Sequence, residues 1–386
     1  MTLLLTAILL LQIPAAQTAL ARRIVKSLEK DMDGRVEFSD ITFVPFSGVV
    51  IKDLAIIDSH PWQGDIDVPQ DTMFRARAIA ARFTLKGLLS QKGIQLREAE
   101  VDDARLAFVI EPGETYTSNL ARIFRIVPSE EEKEKNMKDI FSIHKIKVND
   151  FNFRMISYAD TTAQKAGYGM DWGDLDLLAS IDGRDLKMSG GVISGTANRI
   201  SLSEKSGYAG IISGNAAVGN GVTELTDLHL RDAWSDVQVP EFKMTGTTDD
   251  FSDFVNRVRL DGRLGRSTLS FKTLSYFAPG LKDNSIVADV VSGRVSGPVN
   301  RLAVENFNFK DRTSGFGGIA NVSLSGLDDI SKMGLNSDLK DFTFTTEGLG
   351  GFLSQWIPGK PLDISGLARG ETFVFNGSTS GTLADL

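Results

Sequence analysis

The chain has 386 residues, 42% hydrophobic and 24% charged, a composition that folds and leaves room for roughly two or three domains. Its 42 basic and 50 acidic residues give a formal charge of −8, with no long basic run, which excludes nucleic acid as a partner because phosphate binding needs clustered Lys and Arg. Cysteine is absent, so disulfides, thiolate metal sites and thiol nucleophiles are excluded as well.

Leu3 to Ile13 is apolar except for Thr6 and Gln12, and weaker apolar character runs on to Leu20, just before Arg22 and Arg23. Only the whole stretch approaches the ~20 residues that span a bilayer. It is read as a single-span transmembrane anchor or signal-anchor over residues 1–21. A signal peptide cut near Ala19-Leu20-Ala21 and a buried core helix are the alternatives. Both membrane-directed readings place the rest of the chain outside the cytoplasm. Leu20, Ile24 and Leu28 then recur at helical spacing, and the helix is expected to stop between Asp31 and Gly34.

Beyond that turn the apolar period becomes two, and strand-like segments bounded by Gly, Asp and Asn continue almost to the end. One helical interruption is expected from Ser118, with Asn119, Leu120, Ile123 and Phe124 at helical spacing. The charged run Glu130 to Lys138 follows and reads as a solvated linker. The organisation expected is therefore a β region with a leading helix over residues 22–115, a helical, charged linker over 116–140, and a long β region over 141–386. The last strand-like segment, Gly381 to Leu386, has no terminating signal, so the chain is expected to continue beyond it.

Many strand segments share a local pattern: apolar, any, Asp or Asn, apolar, any, apolar. It occurs at Phe38–Phe43, Ile51–Ile56, Val101–Leu106, Val148–Phe153, Trp172–Leu177, Leu225–Leu230, Val304–Phe309 and Leu339–Phe344. Two alternating stretches meet there with a one-residue change of parity at the Asx position. A bulge or tight bend does this, keeping apolar side chains on one wall as the strand turns. The copies are irregularly spaced, which excludes a short-period solenoid.

Several motifs look chemical. Gly191 to Gly195, Gly210 to Gly214, Gly293 to Gly297 and Gly377 to Gly381 read G-x-x-S-G, but a nucleophile elbow needs its serine one place earlier and a helix after it. They read as glycines of turns and strand ends. Glu29, Asp31, Asp33, Gly34, Arg35, Glu37 and Asp40 have part of a calcium loop's spacing, without its first Asp or a second helix. His60, His144 and His229 fall in no metal-binding spacing. No catalytic residue, metal ligand or cofactor site is identified.

With Gln17-Thr18-Ala19-Leu20-Ala21, Arg35-Val36, Ile51 to Asp58, Lys86-Gly87-Leu88-Leu89, Ile94 to Ile110 and Ser118-Asn119-Leu120 in view, the chain resembles the TamB branch of the AsmA-like superfamily. Glu204 to Tyr208, Leu269 to Leu281 and Gly293 to Gly297 carry the resemblance further, to a form similar to that of Bacteroidetes. It covers essentially the whole chain as a diffuse texture. The departures are the lack of basic residues before the anchor and of the large C-terminal domain typical of TamB. The resemblance implies a mainly β fold, an elongated antiparallel sheet curled into an apolar groove (a β-taco) with an N-terminal transmembrane helix and few short helices. It also implies a single pass through the inner membrane with the bulk of the chain in the periplasm. The function implied is phospholipid transport between membranes, outer-membrane protein assembly with a BamA-type partner, or both. No catalytic residues or cofactors carry over.

The groove reading makes Phe151, Phe153, Phe307, Phe309, Phe342 and Phe344 the candidate lining, because they hold equivalent places in three copies of the pattern. Phe is abundant here, 23 residues against 5 Tyr and 4 Trp, and has no polar tip to satisfy, so it suits a wall for acyl chains and a closed core equally. Two other classes of function compete: a structural or adhesive β-protein with its apolar faces sealed, and a β-helical enzyme acting on polysaccharide, which needs acidic residues clustered on one exposed face.

Overall fold

The structure, a computed structural model, describes residues 29, 32–44, 47–59, 72–84, 94–110, 118–125, 141–158, 167–247, 250, 254–326, 334–355 and 369–382. About 70% of them are strand and 10% helix, so the chain is mainly β with few short helices, as its alternation predicts. Among the described residues no helix is long and apolar enough to cross a membrane. The apolar run Met1 to Leu20, the helical pattern after it and the charged run Glu130 to Lys138 lie outside those residues. The chain divides into two compact units, Met1–Ala209 and Gly210–Leu386.

The first unit holds β1 (Gly34–Glu37), β2 (Asp40–Val44), β3 (Gly48–Asp58), β4 (Thr72–Phe83), β5 (Ile94–Ile110), α1 (Asn119–Ile123), β6 (Phe141–Ser157), β7 (Asp174–Ser189) and β8 (Val192–Glu204). β1 and β2 share one side of β3, and the order continues β3-β4-β5-β6-β7-β8. The expectation of an antiparallel sheet fails at one place, because β5 and β6 pair in parallel along their whole length. Parallel neighbours need a crossover of about a dozen residues or more, and the segment carrying α1 between them supplies it.

In the second unit β9 (Ala209–Gly219), β10 (Val222–Asp232) and β11 (Asp236–Thr245) form a meander. The turn between β9 and β10 is Asn220-Gly221, both at positive φ, the backbone of a two-residue hairpin. After α2 (Phe254–Arg257), β12 (Arg259–Leu264) and β13 (Ser267–Ser270) together fill one place between β11 and β14 (Val287–Pro298). α3 (Phe271–Phe277) separates β13 from β14. β15 (Ala303–Asp311), β16 (Gly317–Ser325) and β17 (Gly334–Thr345) continue antiparallel, and α4 (Thr346–Ser354) precedes β18 (Thr372–Thr382). The N-termini of α1, α3 and α4 are capped by Ser118, Ser270 and Thr345, each accepting a hydrogen bond from a backbone N–H of the first turn.

The Asx pattern has a structural counterpart. In six of its eight copies the Asx residue, Asp53, Asp103, Asp150, Asp227, Asn306 or Asp341, has φ between 46° and 53°. Asp and Asn tolerate this left-handed backbone, at which a strand slips by one residue. The slips line up across neighbouring strands. Asp103 of β5 and Asp150 of β6 are skipped together in the pairing of those strands, as are Arg97 and His144. At three boundaries between a slipped strand and its neighbour, the neighbour supplies an acceptor for the extra N–H. Asp150 donates to Ser180 Oγ at 3.4 Å, Asn306 to Asn321 Oδ1 at 2.8 Å and Asp341 to Asn376 Oδ1 at 2.9 Å. In the other two copies the Asx residue does not have positive φ: Asp40 and Asp174 open β2 and β7.

Candidate functional site

Paired residues on neighbouring strands share a face, so the register shows what each face carries. In the first unit one row runs Ile51, Ile79, Val101, Val148, Ile181, Ile200 across β3 to β8. The rows on either side are Val49, Ala81, Ala99, Ile146, Gly183, Ala197 and Leu54, Ala76, Ala104, Phe151, Ala179, Leu202. In β3, β5 and β6 the slips at Asp53, Asp103 and Asp150 separate the first row from the third, and without them these strands' third-row residues would fall on the opposite face; β4 makes the same three-residue step between Ala76 and Ile79 without an Asx. Of the Ile-Val row only Val148 is buried; the other five side chains are half-buried. Six strands at about 4.8 Å spacing make this face about 24 Å across, longer than the roughly 15 Å of hydrocarbon in one leaflet.

The opposite face is charged and paired across strands. Glu98 meets Arg82 at 2.9 Å and Lys145 at 3.4 Å, and Asn149 donates to Asp102 at 2.8 Å. Arg154 and Lys205 both reach Asp174, at 2.7 and 2.6 Å.

One end of the first unit's apolar face is closed. Ile123 of α1 is fully buried against Met32 and Met73, with Val36, Ile56, Phe74, Leu106 and Leu120 packed around them. Polar contacts fasten α1 there. Arg122 makes two hydrogen bonds, at 2.7 and 2.8 Å, to the carboxylate of Asp58, whose side chain is 2% exposed. Asn119 accepts from the Val109 N–H and donates to the Ala107 carbonyl, taking the place of a neighbouring strand beside β5.

The second unit repeats the division of faces. Leu225, Phe242, Gly262, Val295, Val304 and Val322 form one apolar row across β10 to β16. On the other face Lys243 pairs with Glu224, Arg263 with Glu241, Arg294 with Asp261 and Arg312 with Asp289. The Arg294 and Arg312 guanidiniums hold the carboxyls of Asp261 and Asp289 below their ordinary range through hydrogen bonds. An open concavity of about 750 Å³ in this unit is lined mostly by hydroxyl, amide and carboxylate groups of β15 to β18, among them Glu305, Asn321, Asp338 and Ser378.

The six candidate Phe residues fall into two groups. Phe151 and Phe153 lie on the apolar face of the first unit, half-buried, with Phe153 stacked on Phe108 at 6.5 Å. Phe307, Phe309, Phe342 and Phe344 join an aromatic cluster at one end of the second unit's apolar face. Phe316, from the loop between β15 and β16, meets Phe309, Phe342 and Phe344 at 5.1–6.4 Å, and Phe352 of α4 stacks on it at 4.3 Å. Phe342 is only 2% exposed there. Glycine permits the packing, since a Cβ on Gly318 would stand 2.6 Å from the Phe342 ring. Phe316 and Phe352 belong to no copy of the repeated pattern, so the alternation gave no signal for them.

The motifs set aside in the sequence have structural places. The serines of the four G-x-x-S-G segments lie on β8, β9, β14 and β18, within strands and not at a strand-to-helix turn. His144 and His229 bond Asp185 and Asp236, and among the described residues no group of three or more His, Cys, Asp or Glu could hold a metal ion. Compared with known proteins, the chain matches no family model, no curated protein and no solved structure.

Proposed function

We propose that the chain is a non-enzymatic envelope protein whose apolar sheet face carries lipid acyl chains. In this reading it is TamB-like, held in the inner membrane by residues 1–21, with its bulk in the periplasm. It works in phospholipid transport between membranes, in outer-membrane protein assembly with a BamA-type partner, or in both. The observation that carries the proposal is the half-buried Ile-Val row of β3 to β8. Large aliphatic side chains in a sealed core are buried to a few per cent, whereas a contiguous apolar face left partly open marks a binding surface. The slips at Asx add support, because they return the main apolar rows of long strands to one face while the other face carries paired charges. The structural or adhesive reading draws on one observation, the burial of Phe342 in the aromatic cluster.

Ile181→Asp tests the two readings against each other. On an open face the new carboxylate reaches water, so melting is expected to shift by a few degrees while co-purifying phospholipid, measured by mass spectrometry, is lost. In a sealed core the same change buries an unpaired charge and costs several kcal/mol. A collapsed melting transition, or lipid retained at the wild-type level, overturns the proposal.

A further inference from the structure

α4 lies over the aromatic cluster, yet it is built as a weak helix. Three of its nine residues are glycine, Gly348, Gly350 and Gly351, and glycine is the poorest helix former after proline. Packing demands the first of them, because a Cβ on Gly348 would sit 2.2 Å from the Ser314 carbonyl oxygen. It does not demand Gly351, where an added Cβ meets nothing within 4 Å. The polar fastenings lie at the helix ends. Thr345 Oγ1 accepts from the Gly348 N–H at 3.0 Å, and Gln355 Oε1 accepts from the Ser285 N–H and hydroxyl at 2.9 and 3.0 Å. The Ser285–Gln355 bonds are exposed, so water can replace them. Between the two ends Phe352 rests on Phe316 and packs against the buried cluster of Ile286, Ala288 and Val290.

From these features we infer that α4 is a displaceable lid over a pocket for a single acyl chain, walled by Phe307, Phe309, Phe316, Phe342 and Phe344. The inference rests on the lipid-carrying reading above and adds a gate to it. These walls are unsubstituted aromatic rings, which offer a hydrocarbon chain dispersion contacts and offer a headgroup no hydrogen bond. With α4 in place the pocket is filled by Phe352. With α4 swung away it is continuous with the apolar row of Val290 and Phe309 on β14 and β15. A ligand that binds the open state better shifts the population toward it, and a helix weakened by glycine keeps that shift small enough for hydrocarbon burial to drive.

The chain has no cysteine, so a Ser285→Cys/Gln355→Cys pair can be joined by a short thiol-to-thiol crosslinker without side reactions. The probe is a diazirine-bearing palmitate, photolysed with the full-length protein, and the labelled peptides are mapped by mass spectrometry. Peptides containing Phe309 and Phe316 are expected to be labelled before crosslinking and not after, while first-unit peptides from β5 to β7 are labelled in both states. Gly351→Ala, which stiffens the helix without a clash, is expected to slow labelling of the second unit about fivefold. Labelling of the Phe309 and Phe316 peptides that is absent from the wild type, or unchanged by both the crosslink and Gly351→Ala, overturns the lid. Absence of label from the first unit in every state overturns the lipid-carrying reading itself.

Discussion

The fastening of α1 allows a sharp test of what closes the first unit's apolar face. Arg122→Leu removes a guanidinium that makes two hydrogen bonds to Asp58, leaving a carboxylate that is 2% exposed without that partner. Charge-assisted hydrogen bonds contribute about 1.5–3 kcal/mol each, and breaking a buried ion pair from one side costs about 3–5 kcal/mol, so the two estimates agree. At about 2–4 °C per kcal/mol for a unit of this size, melting should fall by roughly 6–20 °C. Scanning calorimetry should place the loss in the first unit's transition. The double variant Asp58→Leu/Arg122→Leu should recover much of it, because two packed aliphatic side chains leave no buried charge. A loss below about 1 kcal/mol in the single variant, or a double variant no more stable than the single, would show that the pair does not hold α1.

Three further outcomes are expected. Asp341→Gly should leave the second unit's stability in urea within a few tenths of a kcal/mol. Asp341→Val, which forces a β-branched residue to a φ of 52°, should cost about 1–2 kcal/mol or more, and equal effects would refute the slip as a left-handed site. Asp261 and Asp289 have carboxyls held below their ordinary range, so their contribution is present above the unfolded-state pKa of about 3.9 and is lost as pH falls through the lower folded values. The second unit should therefore weaken below about pH 4, modestly because both groups are half-exposed, and Arg312→Gln should flatten that slope; parallel curves for variant and wild type would refute the assignment. Deleting Met1 to Leu20 should turn a membrane-pelleting protein into one that stays in the supernatant after carbonate extraction, and a truncated chain that still pellets would refute the anchor.

The slips were legible because their chemistry is local. An Asx flanked by apolar residues of opposite parity states both the backbone conformation and the faces it joins. The same locality explains the failures. Asp185 has a φ of 55° and belongs with the series, but Gly183 occupies the place where the pattern requires an apolar side chain. Asp174 satisfies the pattern yet opens its strand, and Asp40 follows β1 on the same side of β3, so the change of parity there falls in the break between two short strands. The parallel pairing of β5 with β6 was hidden because strand alternation is the same whichever way a neighbour runs. The depth of the Phe residues was hidden too. Phe151 and Phe342 hold the same place in the pattern, but Phe342 lies beneath an aromatic cluster that includes Phe316, while Phe151 has Ala104 and Ala179 beside it.

The slipped strands resemble line defects in a crystal. A dislocation costs most where it must end, and in this sheet the ends are furnished: Ser180, Asn321 and Asn376 stand on the regular side of three boundaries and satisfy the one group the mismatch leaves over. A defect that is terminated at a neighbouring strand, as at these three, need not propagate further. Gene-level insertions and deletions of one residue, ruinous in most β-proteins because everything downstream turns inside out, become repairable here by one Asx and one acceptor on the adjoining strand. Such an architecture can drift in strand length over evolutionary time while its two faces keep their opposite characters.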